Sequence, residues 1–209
     1  LTVDTSVPSA PAVVLGTGVS DGATDAEATA SSGLATVAGE SGASIVTTLT
    51  GQDGTVTKTL TGTGFAQAVV LTSMEVDELG EGSVSYSVRQ TDAAGNAQTS
   101  DAVTGQFSID TIIEAPTIDT IATDDIANAD EFTNGFDITG TGEAGATVTL
   151  IFGEDENLEP LANGKIATVY EDGNWSVAVT ADDAIALGEG DINITAAQVD
   201  IAGNTSNSN

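Results

Sequence analysis

Acidic side chains are the chemical groups that this sequence offers in quantity. Its 209 residues include 32 Asp and Glu against three Lys and Arg, for a formal net charge of −29, and they include no His and no Cys. Carboxylate and carbonyl oxygens are the ligands that Ca²⁺ prefers in proteins. The composition therefore leaves two interpretations open: binding of a hard cation, or a charge that only keeps a long extracellular protein soluble.

The same composition excludes several classes of protein. A chain without His or Cys has no Ser-His-Asp triad, no thiol nucleophile, no Cys/His zinc site and no disulfide. A surface of this sign repels nucleic acid and anionic membranes. No stretch approaches the roughly 18 apolar residues of a membrane-spanning helix. The hydrophobic fraction of 40% is sufficient for a folded core.

An internal duplication organises the chain. Four short blocks occur twice in the same order, about 105 residues apart: Val3-Asp4-Thr5 and Ile109-Asp110-Thr111; Gly39-Glu40-Ser41-Gly42-Ala43 and Gly142-Glu143-Ala144-Gly145-Ala146; Leu79-Gly80-Glu81-Gly82 and Leu187-Gly188-Glu189-Gly190; Asp92-Ala93-Ala94-Gly95-Asn96 and Asp200-Ile201-Ala202-Gly203-Asn204. We expect two tandem repeats, residues 1–109 and 110–209. The second repeat is predicted to lack its last strand, and the chain to be a window from a longer array.

Alternating apolar and polar residues indicate short strands in both repeats. The pattern is clear in residues 84–88, 148–152 and 175–179, and Glu171-Asp172-Gly173-Asn174 predicts a hairpin turn before the last of these. Trp175 lies in this alternation and is predicted to be a core residue. Roughly seven short strands per repeat predict an all-β protein of two tandem Ig-like Greek-key β-sandwich domains. No convincing helix is found, although residues 182–187 could form one turn.

The sandwich topology predicts where the acidic residues lie. The B–C and F–G loops lie at one end of each sandwich, and the A–B and E–F loops and the exit of strand G lie at the other. At the junction, the A–B and E–F loops of the first repeat therefore meet the B–C and F–G loops of the second. Carboxylates clustered there would repel one another unless a cation bound them. The second repeat and the linker contribute Asp110, Thr111, Glu143, Asp200 and Asn204, and the far end of the first contributes Asp21, Asp25, Glu27, Asp77, Glu78 and Glu81. The counterparts at the two outer ends are Asp4, Glu40, Asp92 and Asn96, and Asp124, Asp130, Glu131, Asp182 and Asp183.

Two of these motifs also have a purely structural interpretation. Asp-x-x-Gly-Asn is good turn chemistry, because Asp accepts hydrogen bonds from the turn backbone and Gly and Asn tolerate positive φ. On that interpretation the F–G loop is an ordinary hairpin without metal. Leu79-Gly80-Glu81-Gly82 is predicted to be a structural corner rather than a site.

The order and spacing of these motifs resemble the bacterial immunoglobulin-like repeats of giant adhesins that Gram-negative bacteria export by type I secretion. The likeness covers essentially the whole chain, twice, although no Gly-Gly-x-Gly-x-Asp nonapeptide of the RTX type is present. The resemblance implies a secreted, monomeric stalk at the bacterial cell surface, whose partners are the neighbouring repeats. It further implies that Ca²⁺ at the domain junctions stiffens the rod, which projects a distal adhesive domain for cell adhesion or biofilm formation.

We do not expect an enzyme. Asp4-Thr5-Ser6 and Asp110-Thr111-Ile112 stand where an aspartic protease would need Asp-Thr-Gly, and no EF-hand loop is found. Acids that recur at matching positions in both repeats suit a repeating junction better than one active site. The alternative is a module that binds a glycan or a host protein, for which the insertion at residues 153–160 is the distinctive feature of the second repeat.

Overall fold

Antiparallel strands form most of the regular structure in this computed structural model, which describes residues 3–153 and 164–208. The insertion at residues 153–160 lies, except for Gly153, outside the described residues. The internal contacts divide the chain into two compact units, residues 1–111 and 112–209. The boundary of the two sequence repeats at residue 109 stays a prediction.

The first unit contains seven strands in two sheets. In chain order they are β1 (Ala12–Leu15), β2 (Ala35–Ala38), β3 (Ser44–Thr50), β4 (Thr55–Thr61), β5 (Ala66–Val69), β6 (Gly82–Thr91) and β7 (Val103–Ile109). One sheet has the order β1-β2-β5 and the other β4-β3-β6-β7, with every pair antiparallel. The chain crosses between the sheets after β2, after β4 and after β5, as in a Greek-key sandwich. The predicted all-β class is confirmed.

The core of this unit lies between the two sheets and follows the predicted alternation. Val84 and Val88 of β6 are fully buried, while the polar residues between them face outwards or are half-buried. Val88 packs in one cluster with Ile45 of β3 and with Val37 and Val69 of the opposite sheet. Burial of this kind contributes about 25 cal/mol per Å² of apolar surface, so the alternating residues hold the sheets together.

The second unit repeats this arrangement, with six strands among its described residues. They are β8 (Phe136–Thr141), β9 (Thr147–Phe152), β10 (Lys165–Thr168), β11 (Asn174–Val179), β12 (Ile194–Val199) and β13 (Thr205–Asn207). The sheets have the orders β11-β8 and β10-β9-β12-β13. Thr117 and Asp119 donate backbone hydrogen bonds to β8 and so occupy the place of β1. Trp175 is buried, as predicted, with 1% of its surface exposed.

Strand β13 is the counterpart of residues 97–99 of the first unit, where Ala97 bridges Thr91 and the Gln98 N–H donates to Gln90, and not of β7. Its three residues pair with the end of β12, whereas the seven residues of β7 run along most of β6. The absence of the last strand from the second repeat stays a prediction.

In the first unit β7 covers Gly82 and Val84, and Phe107 and Ile109 are buried there. The corresponding residues of the second unit, Gly190 and Ile192, line an open cavity of about 1010 Å³. The cavity thus marks the surface that β7 covers in the first unit.

The described residues form four short helices: the last covers the single turn predicted at residues 182–187, and the other three correct the expectation of no convincing helix. They are α1 (Asp25–Thr29), α2 (Ser73–Leu79), α3 (Ala129–Asn134) and α4 (Ala181–Leu187). Each begins with a capping box. The N-cap side chain accepts a hydrogen bond from the backbone N–H of an acidic residue three positions later. The carboxylate of that residue accepts a hydrogen bond from the backbone N–H of the N-cap residue. The pairs are Thr24 and Glu27, Thr72 and Glu75, Asn128 and Glu131, and Thr180 and Asp183.

Both lysines of the chain bind a capping-box acid at equivalent positions. Lys58 of β4 lies with its Nζ 2.5 Å from Glu75 Oε2 of α2, and Lys165 of β10 forms an ion pair with Asp183 of α4. Each pair fastens a helix to the edge strand of the larger sheet. The hydrogen bond from Lys58 holds the pKa of Glu75 below its ordinary value of 4.5. Burial raises the pKa of Asp183, but hydrogen bonds from Lys165 and Thr180 outweigh it and leave this pKa below 3.8.

Acid is expected to remove the stabilisation that these ion pairs provide. Because the pKa of Glu75 is lower in the folded than in the unfolded chain, its contribution is complete above 4.5 and is lost as the pH falls through the folded value. Urea unfolding should therefore show that Glu75→Gln costs about 1 kcal/mol at neutral pH and nothing at a pH well below the lowered pKa that Glu75 has in the folded chain. Glu78→Gln, on an exposed residue of the same helix, is the matched control. A cost for Glu75→Gln that did not change with pH would contradict the prediction.

Candidate metal centre

The turn after β6 shows how the Asp-x-x-Gly-Asn motif folds. Asp92 is buried, and its Oδ1 accepts hydrogen bonds from the backbone N–H groups of Ala94 and Asn96 at 2.9 and 2.8 Å. Its Oδ2 accepts from the side-chain amide of Asn96 at 2.8 Å. This amide contact, with the backbone donors, lowers the pKa of Asp92 below its ordinary value. The motif therefore forms a turn around an ionised carboxylate.

The turn after β12 repeats this geometry in the second unit. The Oδ1 atom of Asp200 accepts from the backbone N–H groups of Gly203 and Asn204 at 2.6 and 2.8 Å, and its Oδ2 accepts from the Asn204 side chain at 2.8 Å. Asp200 is 8% exposed. The turn that the structural interpretation predicts is thus present in both units, and this turn does not decide whether the motif also binds a metal. Because each carboxylate oxygen has two acceptor sites, these bonds leave acceptor capacity for a cation.

Glu143 brings a second carboxylate to this turn. It lies in the loop between β8 and β9, and its carboxylate oxygen lies within 4.8 Å of that of Asp200. Ca²⁺ binds oxygens at about 2.3–2.6 Å, so a single ion fits between two oxygens at this spacing. The donor set is all oxygen, as a hard cation requires. The residues of this end of the second unit therefore fit Ca²⁺, with further oxygen ligands needed to complete six to eight.

A buried glutamine behind this loop was missed in the sequence. Gln198 of β12 is fully buried, and its Oε1 accepts a hydrogen bond from the backbone N–H of Glu143 at 3.1 Å. Gln90 of β6 makes the same bond with Glu40 at 2.9 Å. The available signal was the occurrence of Gln, in both repeats, two residues before the motif Asp and in register with the inward-facing residues of its strand.

The corresponding end of the first unit brings its candidate residues less closely together. Asn96 donates from its side chain to the backbone carbonyl of Asp4 at 3.3 Å, so the segment before β1 does reach the turn. Glu40 is exposed, as is Asp4. In the described part of this unit no three acidic side chains place ligand atoms within 4.8 Å of one another. The metal-binding role of Asp4, Glu40, Asp92 and Asn96 stays a prediction.

Two linker candidates are held by the first unit itself. Asp110 is half-buried, and its backbone N–H donates to the carbonyl of Ala23 at 3.0 Å. Thr111 donates to Glu81 from its backbone N–H at 3.1 Å and also from its hydroxyl. Glu81 therefore anchors the start of the linker. The prediction that Leu79–Gly82 forms a corner agrees with the end of α2 at Leu79 and the positive φ of 75° at Gly80.

The acidic residues of the A–B segment, between β1 and β2, and of the E–F segment, between β5 and β6, take part mainly in local structure, as do their counterparts in the second unit. Glu27, Glu131 and Asp183 close the capping boxes of their helices. Asp25 accepts from the hydroxyl of Ser73 at 3.2 Å, which links α1 to α2. The remaining candidates of these segments are exposed: Asp21, Asp77, Glu78, Asp124, Asp130 and Asp182. No three of them within one unit form a group of ligand atoms of the kind seen around Asp200, among the residues that the structure describes.

The chain was compared with known proteins. No protein-family model and no curated protein matches it. No helix in the described segments is both long and apolar enough to cross a membrane.

Similar chains do occur among solved structures. One is described as a Ca²⁺-stabilized adhesin that helps an Antarctic bacterium reach out and bind ice, with 25% identity, a TM-score of 0.45 and 98% of this chain covered. Another is a 1.5-MDa bacterial ice-binding adhesin, studied for host cell surface retention, with 25% identity, a TM-score of 0.43 and 95% covered. A tetra-tandem repeat from the extending region of a large adhesion protein has 17% identity and a TM-score of 0.37 over 95%. This chain spans 48% and 61% of the first two chains. The chain is thus similar to parts of large bacterial adhesins.

Proposed function

We propose that this chain is a non-catalytic extender module of a large, secreted bacterial surface adhesin. In this proposal Ca²⁺ binds at the linker end of a repeat and stiffens its junction with the preceding repeat. The observation that carries the proposal is the pair of carboxylates of Glu143 and Asp200, held within 4.8 Å at the end of the second unit where the linker enters. The stalk would project a distal adhesive domain for cell adhesion or biofilm formation.

The internal repeat supports Asp110 as a third ligand. Asp4 holds the same place in the first repeat as Asp110 in the second, and the backbone of Asp4 contacts Asn96 of its own turn. The same contact in the second repeat would bring Asp110 to Asn204. In this proposal Asp110, placed there by the repeat alone, joins Glu143 and Asp200, and an oxygen of Asn204 and water complete the coordination.

Charge explains why a cation would matter at this position. Three carboxylates gathered at one site repel one another, and the chain carries only three basic residues to offset 32 acidic ones. A divalent cation would replace that repulsion with a set of bonds joining the linker, the loop before β9 and the turn after β12. Low Ca²⁺ in the cytosol would leave this clamp open, and high Ca²⁺ outside would close it by mass action.

The ligand-binding alternative is not favoured by the described side chains. It would be supported by a cluster of exposed aromatic rings, but each unit exposes a single ring, Phe65 in the first and Tyr170 in the second, among the side chains described. The cavity beside Ile192 corresponds to the surface that β7 covers in the first unit, and this correspondence explains the cavity without a bound ligand.

A thermal melt of the 209-residue chain tests the calcium proposal. At a Ca²⁺ concentration 100 times Kd, one ion adds about 2.7 kcal/mol, which corresponds to a rise of about 10–20 °C in Tm for a domain of this size. We expect this rise in Ca²⁺, and little of it in Mg²⁺ or in excess chelator, because Mg²⁺ demands a tighter octahedral geometry. Equal melting temperatures in all three buffers would contradict the calcium mechanism.

A further inference from the structure

We propose that Gln198 is a positioning residue for this cation site, and that it sets the affinity by fixing the Glu143 loop and the linker against β12. The inference rests on the proposed function, because it assumes that Glu143 and Asp200 bind the ion. It goes beyond that function because Gln198 offers no ligand to the ion. Its side chain is fully buried and acts on the loops behind the site.

The two ends of the amide bind two different segments. Its Oε1 accepts from the backbone N–H of Glu143 at 3.1 Å, and its Nε2 donates to the backbone carbonyl of Glu114 at 3.3 Å. Gln198 itself precedes Asp200 by two residues on the same strand. One side chain therefore connects the strand that leads to Asp200, the loop that carries Glu143 and the segment that follows Asp110.

The first unit contains the same connection. Gln90 is 2% exposed, accepts from the N–H of Glu40 at 2.9 Å and donates to the carbonyl of Ser9 at 2.5 Å. The same buried amide, bonded through both its oxygen and its nitrogen, therefore occurs in both units, which indicates that the contact is a feature of the repeat.

The glycine before each loop glutamate makes room for the amide. A Cβ atom added to Gly142 would overlap Oε1 of Gln198, and one added to Gly39 would lie 2.5 Å from Oε1 of Gln90. Neither glycine has a positive φ that would explain it otherwise. The first Gly of Gly-Glu-x-Gly-Ala is therefore required by the glutamine that holds the loop.

Loss of the amide should weaken cation binding more than its effect on folding explains. In Gln198→Met the volume is kept, but the N–H of Glu143 and the carbonyl of Glu114 lose their buried partner. Removal of groups that orient metal ligands typically lowers metal affinity about 10–100-fold. We expect a decrease of that size for the second unit.

The single tryptophan permits a measurement that reports on the second unit. Trp175 donates from its indole N–H to the carbonyl of Thr141, two residues before Glu143. Tb³⁺ binds in Ca²⁺ sites, and its luminescence, excited through the indole, reports occupancy near Trp175. Competition by Ca²⁺ then gives the affinity in the full 209-residue chain. Urea unfolding in chelator gives the stability without metal.

Gln90→Met is the matched control, since it removes the equivalent amide from the first unit. We expect it to cost similar stability in chelator and to leave the affinity reported through Trp175 unchanged. Gly142→Ala is a second variant that displaces the amide of Gln198 without removing it, in case Gln198→Met does not fold. This variant should also lower the affinity for Ca²⁺.

The outcomes separate the two proposals. If the wild-type chain shows no competition between Ca²⁺ and Tb³⁺, the proposed function fails and this inference fails with it. If the wild type binds Ca²⁺ and both Gln198→Met and Gly142→Ala bind within about twofold of it, far less than the loss expected of an orienting group, only the positioning role is overturned. An equal loss in Gln90→Met would also overturn it, because the effect would then reflect general destabilisation.

Discussion

Replacing Trp175 with Ala is expected to lower the free energy of unfolding of the second unit by about 3–5 kcal/mol. The indole is 1% exposed and packs over Gly140, where an added Cβ would overlap the ring. Its N–H also binds the carbonyl of Thr141 at 3.0 Å. Truncation to Ala removes the apolar contacts, leaves a cavity and removes one of the two donors to the carbonyl of Thr141, which keeps the N–H of Thr117.

Chemical denaturation followed by circular dichroism checks this prediction. The first unit shares none of these contacts, so its transition should stay in place while that of the second moves to lower denaturant. Trp175→Phe is the matched control: it keeps most of the ring volume and loses the indole donor, with an expected cost nearer 1–2 kcal/mol. A cost below about 1 kcal/mol for Trp175→Ala would mean that the ring does not form part of the core.

Two substitutions at Asp200 should separate the turn-forming role of this residue from the metal-binding role. In chelator, Asp200→Ala leaves three donors of the turn without their acceptor, from Gly203 and from the backbone and side chain of Asn204, and should cost about 1–3 kcal/mol. Asp200→Asn keeps an oxygen for the backbone donors and should cost less. In Ca²⁺, both variants should also lose most of the rise in Tm, because neither supplies a carboxylate.

The same melts decide between the two roles. Asp92→Asn, at the equivalent turn of the first unit, controls for the general effect of removing this charge. If Asp200→Asn kept the full Ca²⁺-dependent rise in Tm, Asp200 would be a turn residue only. A Ca²⁺ effect that disappears in Asp200→Asn while the stability in chelator is almost kept would assign the metal role to the carboxylate.

The strands of this protein could be predicted from period-two alternation, because the inward residues are strongly apolar. Val148, Leu150 and Phe152 of β9 are all buried, as are Trp175, Val177 and Val179 of β11. The corner at Gly80 and a turn before β11 were also correct, because Gly at positive φ marks such places. The predicted hairpin at residues 171–174 was wrong, because β10 and β11 pair in different sheets and the turn carries the chain from one sheet to the other.

Three of the four helices were missed, and the fourth was predicted only as a turn at residues 182–187, because five to seven residues are too few to establish a period of 3.6. Their capping boxes were present in the sequence as Thr or Asn followed three residues later by Glu or Asp. Glu27 and Glu131 close two of these helix N-termini, and their role as metal ligands stays a prediction.

The candidate site could be predicted in part. Duplicated loop acids indicated which residues to consider, and Glu143 and Asp200 do lie together. Gln198 was missed because the sequence does not show whether a glutamine in a strand faces the core or the solvent. Its burial depends on the sheet that packs against that strand. Contacts of Glu114 with a residue 84 positions away cannot be read from local pattern.

The placement of the basic residues has a consequence for protease resistance. Trypsin-like enzymes cut after Lys or Arg, and this chain has only Lys58, Arg89 and Lys165, which lie in β4, β6 and β10. Proteases act on exposed, flexible segments and reach sheet residues only when the structure opens. An extracellular protease of this specificity therefore finds no site in the connecting loops, and cleavage requires the opening of a sheet.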